Sequence, residues 1–370
     1  MDEGSGTLSR RMLMAGGAAT LFAGGAEQRA EADTRLLATA RHEPPVRIYS
    51  NMSQYNWRPI LAGLRQAYPT LAIETIDMGP TELFERYYAE SAAGRRSADM
   101  LISNAPDAWL RLVGRGQVLP YRSGQIAALP GWSLPFPGLY TLSADPMLLI
   151  FNKALLDPPL RPTGLQHLAR IAAANPRKFR HRITTYDAAS HALAYALQRA
   201  AIVAGKPGGW DLMQRLAPYM RLETGGATML DKVTTGEYLA GFHVSAVTVL
   251  PQMRTKGRAQ LLDWTLCRDG TPLALRGMAI TKATRTPAGS RLVLDWLLSH
   301  TGQIAAANGG LTPCRRDIGE REVPFLTIDG IVRRLGGTAP IVLVGYDRRM
   351  IADYPGFIAR WKRVFAPVRT

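Results

Sequence analysis

From residue 46 onward, short β-rich runs alternate with stretches whose apolar residues recur at helical spacing. Val46-Arg47-Ile48-Tyr49 reads as a strand. After Ser50-Asn51-Met52-Ser53, Ile60, Leu61, Leu64 and Ala67 mark one face of a helix that Pro69 ends. Ala72 to Ile76 is a second strand, Thr81 caps a helix running through Tyr88 and Ala89, and Asp99 to Ile102 is a third strand. That strand stops at Ser103-Asn104, before Pro106 opens a helix. Alternation of this kind predicts a largely parallel sheet in an α/β domain. Met147 to Phe151 is a continuous apolar run, as expected of a strand buried on both faces.

A second domain is expected after Asn152-Lys153 and the breakers Pro158, Pro159 and Pro162. It holds a strand at Arg182 to Thr185 and a helix from Ser190 to Ala204. Next come a Gly225-Gly226 turn feeding a helix, and strands within Leu239 to Val249 and at Leu275 to Thr281. Thr286-Pro287 opens a helix with Val293, Trp296 and Leu297 on one face, and its continuation closes at Gly309-Gly310. The last segment reads as a strand at Ile341 to Val344 and then a helix through Trp361.

Composition sharpens this. A chain of 370 residues exceeds the size at which single cores stop growing, so two domains are expected. Two cysteines, Cys267 and Cys314, exclude a disulfide-dense scaffold and any multi-cysteine metal site; their spacing does not decide whether they pair. The net charge of +16 favours anionic partners without choosing among them.

The N-terminus narrows the choice. Arg10-Arg11 precedes a weakly apolar run from Met12 to Ala26, and Ala30-Glu31-Ala32 follows, the pattern of a twin-arginine export signal cleaved near Ala32. The run is too short for an ordinary membrane span, and no later window is apolar enough to cross a bilayer. Export to the periplasm leaves little nucleic acid to bind, so small anions become the expected partners. No nucleophile elbow, Walker loop, His-Glu-x-x-His or dinucleotide fingerprint is present, and catalysis is not expected. The six histidines show no short-spaced pair of metal-binding kind, and neither a metal nor a cofactor is expected.

Three stretches, taken in order, carry a family resemblance. Ala98-Asp99-Met100-Leu101-Ile102-Ser103-Asn104 is followed by Leu112 to Tyr121 (LVGRGQVLPY). Val233-Thr234-Thr235-Gly236-Glu237-Tyr238 comes next. The last is Gly277-Met278-Ala279-Ile280 through Leu297-Leu298-Ser299, Gly302-Gln303 and Leu311-Thr312-Pro313. Together they resemble the bacterial extracellular solute-binding proteins of ABC importers, type II, in the branch handling ferric iron, phosphonates and sugar phosphates. The resemblance implies two α/β lobes, each a mixed, mostly parallel sheet flanked by helices, with a ligand cleft between them. The division it implies is a signal at 1–32, a flexible lead at 33–45, the first lobe at 46–150 and the second at 151–270. Residues 271–370 cross back to the first lobe and end in C-terminal helices.

It further implies a monomeric receptor that closes on a small ligand and passes it to an inner-membrane permease. A sensor docking on a membrane histidine kinase and a ferric-ion receptor are the alternatives. Cleft loops lie at carboxyl ends of strands, so the expected ligand contacts are Ser50, Asn51, Ser103 and Asn104 in the first lobe. In the second they are Thr185, Tyr186, Ser190, Gly225, Gly226, Thr228, His243 and Ser245. Ferric members place adjacent tyrosines near the segment that here reads Phe242-His243-Val244-Ser245 without such a pair, while Tyr87-Tyr88 falls within a helix. An organic anion, phosphorylated or carboxylated, is therefore the expected ligand. Tyr49, Tyr55 and Tyr186 are aromatic candidates for its organic part. Arg47 and Arg276 fall near the cleft segments and are assigned no role.

Overall fold

A computed structural model describes residues 34–206, 208–255 and 257–366. The twin-arginine segment lies outside them. Ten strands are present among the described residues. They are β1 (Val46–Ser50), β2 (Ile73–Asp77), β3 (Met100–Ser103), β4 (Tyr140–Asn152), β5 (Ile183–Tyr186), β6 (Met220–Glu223), β7 (Ala240–Ser245), β8 (Leu262–Thr265), β9 (Thr271–Ile280) and β10 (Ile341–Val344). Their order is β2-β1-β3-β9-β4-β7-β5-β6, with β10 beside β9 and β8 beside β4.

The first lobe contains parallel β1, β2 and β3, and the second parallel β5, β6 and β7. Period-two alternation explains why helices cover both faces of the first sheet. Val46, Ile48, Met100 and Ile102 meet the helices Gln54–Ala67 and Pro287–Leu298. Tyr49 and Leu101 point the other way, toward Glu82–Ala92 and Pro106–Gly114.

Two long antiparallel strands join the lobes. Residues 140–146 of β4 pair with β9, while 147–152 pair with β7 and β8. All thirteen residues of β4 are buried, so the apolar run Met147 to Phe151 is only its second half. The last helix, Arg349–Phe365, docks on the second lobe, burying Trp361 and Phe365 in the core cluster that also holds Leu216, Tyr195 and Phe179. Tyr195 Oη donates to the Met350 carbonyl at 2.6 Å and fixes that helix.

The segment expected as a flexible lead contains a helical stretch at 34–40, with Ala40 buried. Glu43 accepts hydrogen bonds from Ala288 and Gly289 N–H at 3.0 and 2.8 Å, capping the helix Pro287–Leu298. Its polar composition hid that role, because the partners are distant in sequence. Cys267 and Cys314 are both buried and unpaired. No helix among the described residues is long and apolar enough to cross a membrane.

Candidate functional site

A cleft of about 900 Å³ opens between the lobes, floored by the crossing strand β9. Four helices direct their N-terminal ends at it. Their caps Ser53, His191, Gly225 and Ser245 all line the cleft, heading the helices Gln54–Ala67, Ala192–Val203, Gly226–Thr235 and Ala246–Met253. The two that open at Gly225 and Ser245 have no side-chain cap, so their first-turn N–H groups remain available to an acceptor.

Arg276 projects from the middle of β9 into the floor and is almost fully buried. Its Nε and Nη2 donate to Asp145 Oδ2 at 3.3 and 3.2 Å. Its Nη1 donates to Asn51 Oδ1 at 2.8 Å and to the Asn51 carbonyl at 3.5 Å. A guanidinium has five N–H donors, so one remains uncommitted. Asp145, wholly buried, also accepts from Ser143 Oγ and the Thr312 N–H, each at 3.0 Å. Asn51 Nδ2 in turn donates to Asn104 Oδ1 at 2.7 Å. A hydrogen-bonded relay therefore runs from the crossing strands into the first-lobe wall.

On the opposite wall, Tyr186 is 5% exposed and its hydroxyl lies beside Gly226, where a Cβ would meet it at 2.5 Å. Burial pushes this phenol up to about 12, so it is a neutral donor. His191 packs edge-on against its ring. His191 Nδ1 accepts from the Ala194 N–H at 3.2 Å, which makes Nε2 the protonated nitrogen, donating to the Thr224 carbonyl at 3.1 Å. Burial lowers the His191 pKa, opposed by that bond to Thr224, and the ring is held neutral.

Of the residues expected from sequence, Asn51, Asn104, Tyr186, Gly225, Gly226 and Ser245 line the cleft together. The others do not line it. Ser50 is buried, its Oγ accepting from Trp57 Nε1 at 2.9 Å. Ser103 Oγ donates to the Pro80 carbonyl at 2.8 Å, and Thr185 Oγ1 to the Phe242 carbonyl at 2.9 Å. Ser190 Oγ closes a turn onto the Asp187 carbonyl at 2.6 Å, and Thr228 sits in the first turn of its helix.

His243 is fully buried beside Phe242, in left-handed backbone at φ 59°, where β7 bulges against β4. Both ring nitrogens lack partners, and burial lowers its pKa to about 3. Ser50 and Ser103 do end their strands, and Thr185 stands one residue before the end of its own. In several of them, strand pleat turns the side chain away from the cleft.

Sequence reasoning missed Asp77, His191 and Arg258, and left Arg276 without a role; all four line the cleft. Asp77 ends β2 as Ser50 ends β1, and the same strand-end rule finds it. Arg276 gave no such signal, since it lies mid-strand. Tyr55 lines the cleft, whereas Tyr49 is core and Tyr87 is fully buried, donating to Gln117 Oε1 at 2.9 Å. Among the described residues, no group of three or more His, Cys, Asp or Glu could hold a metal ion.

The fold is similar to that of solved substrate-binding proteins of transporters. A substrate-binding protein of an ABC transporter from Agrobacterium tumefaciens superposes with a TM-score of 0.75 at 18% identity, over 87% of this chain and 95% of that one. Iron-bound HitA from Pseudomonas aeruginosa gives 0.66 at 16% identity, over 88% and 99%. The protein AfuA from Actinobacillus pleuropneumoniae, with fructose-6-phosphate bound, gives 0.62 at 18% identity, over 85% and 98%. No protein-family model and no curated sequence relative matches the chain. The fold is thus shared across nearly the whole length while the sequence has diverged.

Proposed function

We propose that this protein is the periplasmic receptor of an ABC importer, capturing a small organic anion between its lobes and delivering it to a permease. The observation that carries the reading is the convergence of four helix N-termini from both lobes on one cleft floored by Arg276. Uncapped N–H groups, the Tyr186 hydroxyl and the spare Arg276 N–H are all donors, and together they call for an oxyanion. The exported, monomeric state and the twin-arginine signal complete this reading. In this reading the lobes are built on residues 46–150 and 151–270, with 271–370 crossing back, and β4 and β9 act as the hinge that takes up closure. No bond is made or broken; ligand affinity for the closed state does the work.

A thermal-shift screen of the protein against phosphate esters, phosphonates, carboxylates, neutral sugars, polyamines and ferric ion tests it. A ligand at about 100 times its dissociation constant adds about 2.7 kcal/mol of stability. The expected result is stabilisation by oxyanions. A response confined to neutral sugars, polyamines or iron overturns the reading.

A further inference from the structure

Apart from the phenols Tyr55 and Tyr186, five ionisable side chains line the cleft among the described residues: Asp77, His191, Asp231, Arg258 and Arg276. His191 is held neutral by its two hydrogen bonds. Arg276 is paired with Asp145 at 3.2 Å, and Arg258 with Asp231 at 3.0 Å. Asp77 is different: among the described residues no cation stands within ion-pair distance of it. On a chain with a net charge of +16, the unmatched charge inside the cleft is therefore negative. A carboxylate left facing a closing cleft loses water, and that costs free energy unless the ligand supplies the counter-charge.

Register fixes where this carboxylate stands. Asp77 pairs with Ser50, and the next residue, Asn51, receives Arg276 Nη1 at 2.8 Å. Asp77 thus lies one strand spacing, about 5 Å, from the chain path that holds the guanidinium. We infer that the ligand is a short zwitterion, with its oxyanion group held by Arg276, Tyr186 and the second-lobe helix N-termini, and an ammonium group held by Asp77. The two ligand charges must then bridge one to two strand spacings, roughly 5–10 Å. An ω-amino carboxylate or aminoalkyl phosphonate with a few methylenes spans that gap. This deepens the proposed function and rests on it for the anionic end.

The test is titration calorimetry with matched probes: 4-aminobutyrate against butyrate, 3-aminopropylphosphonate against propylphosphonate, and butylamine alone. In the native protein the amino acids are expected to bind at least 30-fold more tightly than their deaminated partners. Asp77→Asn should bring the amino probes down to the deaminated level without changing the latter, while Asp77→Glu keeps the preference. Deaminated probes that bind the native protein equally well, or an Asp77→Asn loss shared by both series, overturn the zwitterion and leave the anion receptor standing. Butylamine binding as tightly as 4-aminobutyrate, or failure of every acid probe, overturns the anion reading itself and the inference with it.

Discussion

The two walls of the cleft are built differently. The first-lobe wall is wired in advance: Asn104, Asn51, Arg276 and Asp145 form one chain of hydrogen bonds, each member satisfied by the next. In the second lobe, the helices at Gly225 and Ser245 open without caps, and the Tyr186 hydroxyl faces Gly226. One wall is a rigid template and the other a set of donors waiting for an acceptor. Such asymmetry suits the proposed receptor role, in which the ligand docks on the finished wall and the unfinished one closes over it.

The strongest way to break this contrast is to cut the template. Arg276→Leu leaves the wholly buried Asp145 with only Ser143 and Thr312 as partners. Removing one member of a buried ion pair costs about 3–5 kcal/mol. Urea denaturation should show a loss of that order, and ligand binding should vanish. A variant as stable as the native protein would mean that the floor is not pre-wired.

Acid sharpens the contrast from the other side, through His243 behind the second-lobe wall. Its folded pKa, about 3, lies below its unfolded value of 6.5. The folded state thus favours the neutral ring, and this contribution is complete above pH 6.5. As pH falls below 6.5 the unfolded chain gains the proton first and stability declines. From pH 6.5 to 5 the loss is about 2 kcal/mol. Native protein should melt measurably lower at pH 5 than at pH 7, and His243→Phe should flatten that dependence.

The smallest effect isolates one donor. Tyr186→Phe keeps the ring against His191 and deletes the hydroxyl, so melting without ligand should hardly change. Affinity should fall about threefold to tenfold, the worth of one hydrogen bond. Gly226→Ala, which drives a methyl into that hydroxyl at 2.5 Å, should reproduce the loss by displacement. If both variants bind like the native protein, Tyr186 is a wall and not a contact.

A common cleft was implied through the family resemblance; what the sequence by itself determined was the alternation of elements and the positions of most strands. Those features are local: apolar periodicity, Pro and Gly punctuation and cap residues act within a few positions. Short strands with weak patterning, β6 and β8, escaped it, as did the helical stretch at 34–40. Among cleft residues the sequence located Asn51, Asn104, Tyr186, Gly225, Gly226 and Ser245. It also nominated Ser50, Ser103 and Thr185, whose hydroxyls the strand pleat turns inward to Trp57, Pro80 and Phe242.

Only tertiary structure could raise Arg276 from an ordinary mid-strand arginine to the floor of the cleft. Its environment is set by pairing with β4, 131 residues away in sequence at Asp145, and by the loop after β1. The same holds for Asp77, whose lack of a cationic partner among the described residues is a property of everything around it. Burial and charge balance are sums over distant segments, and no local pattern encodes them.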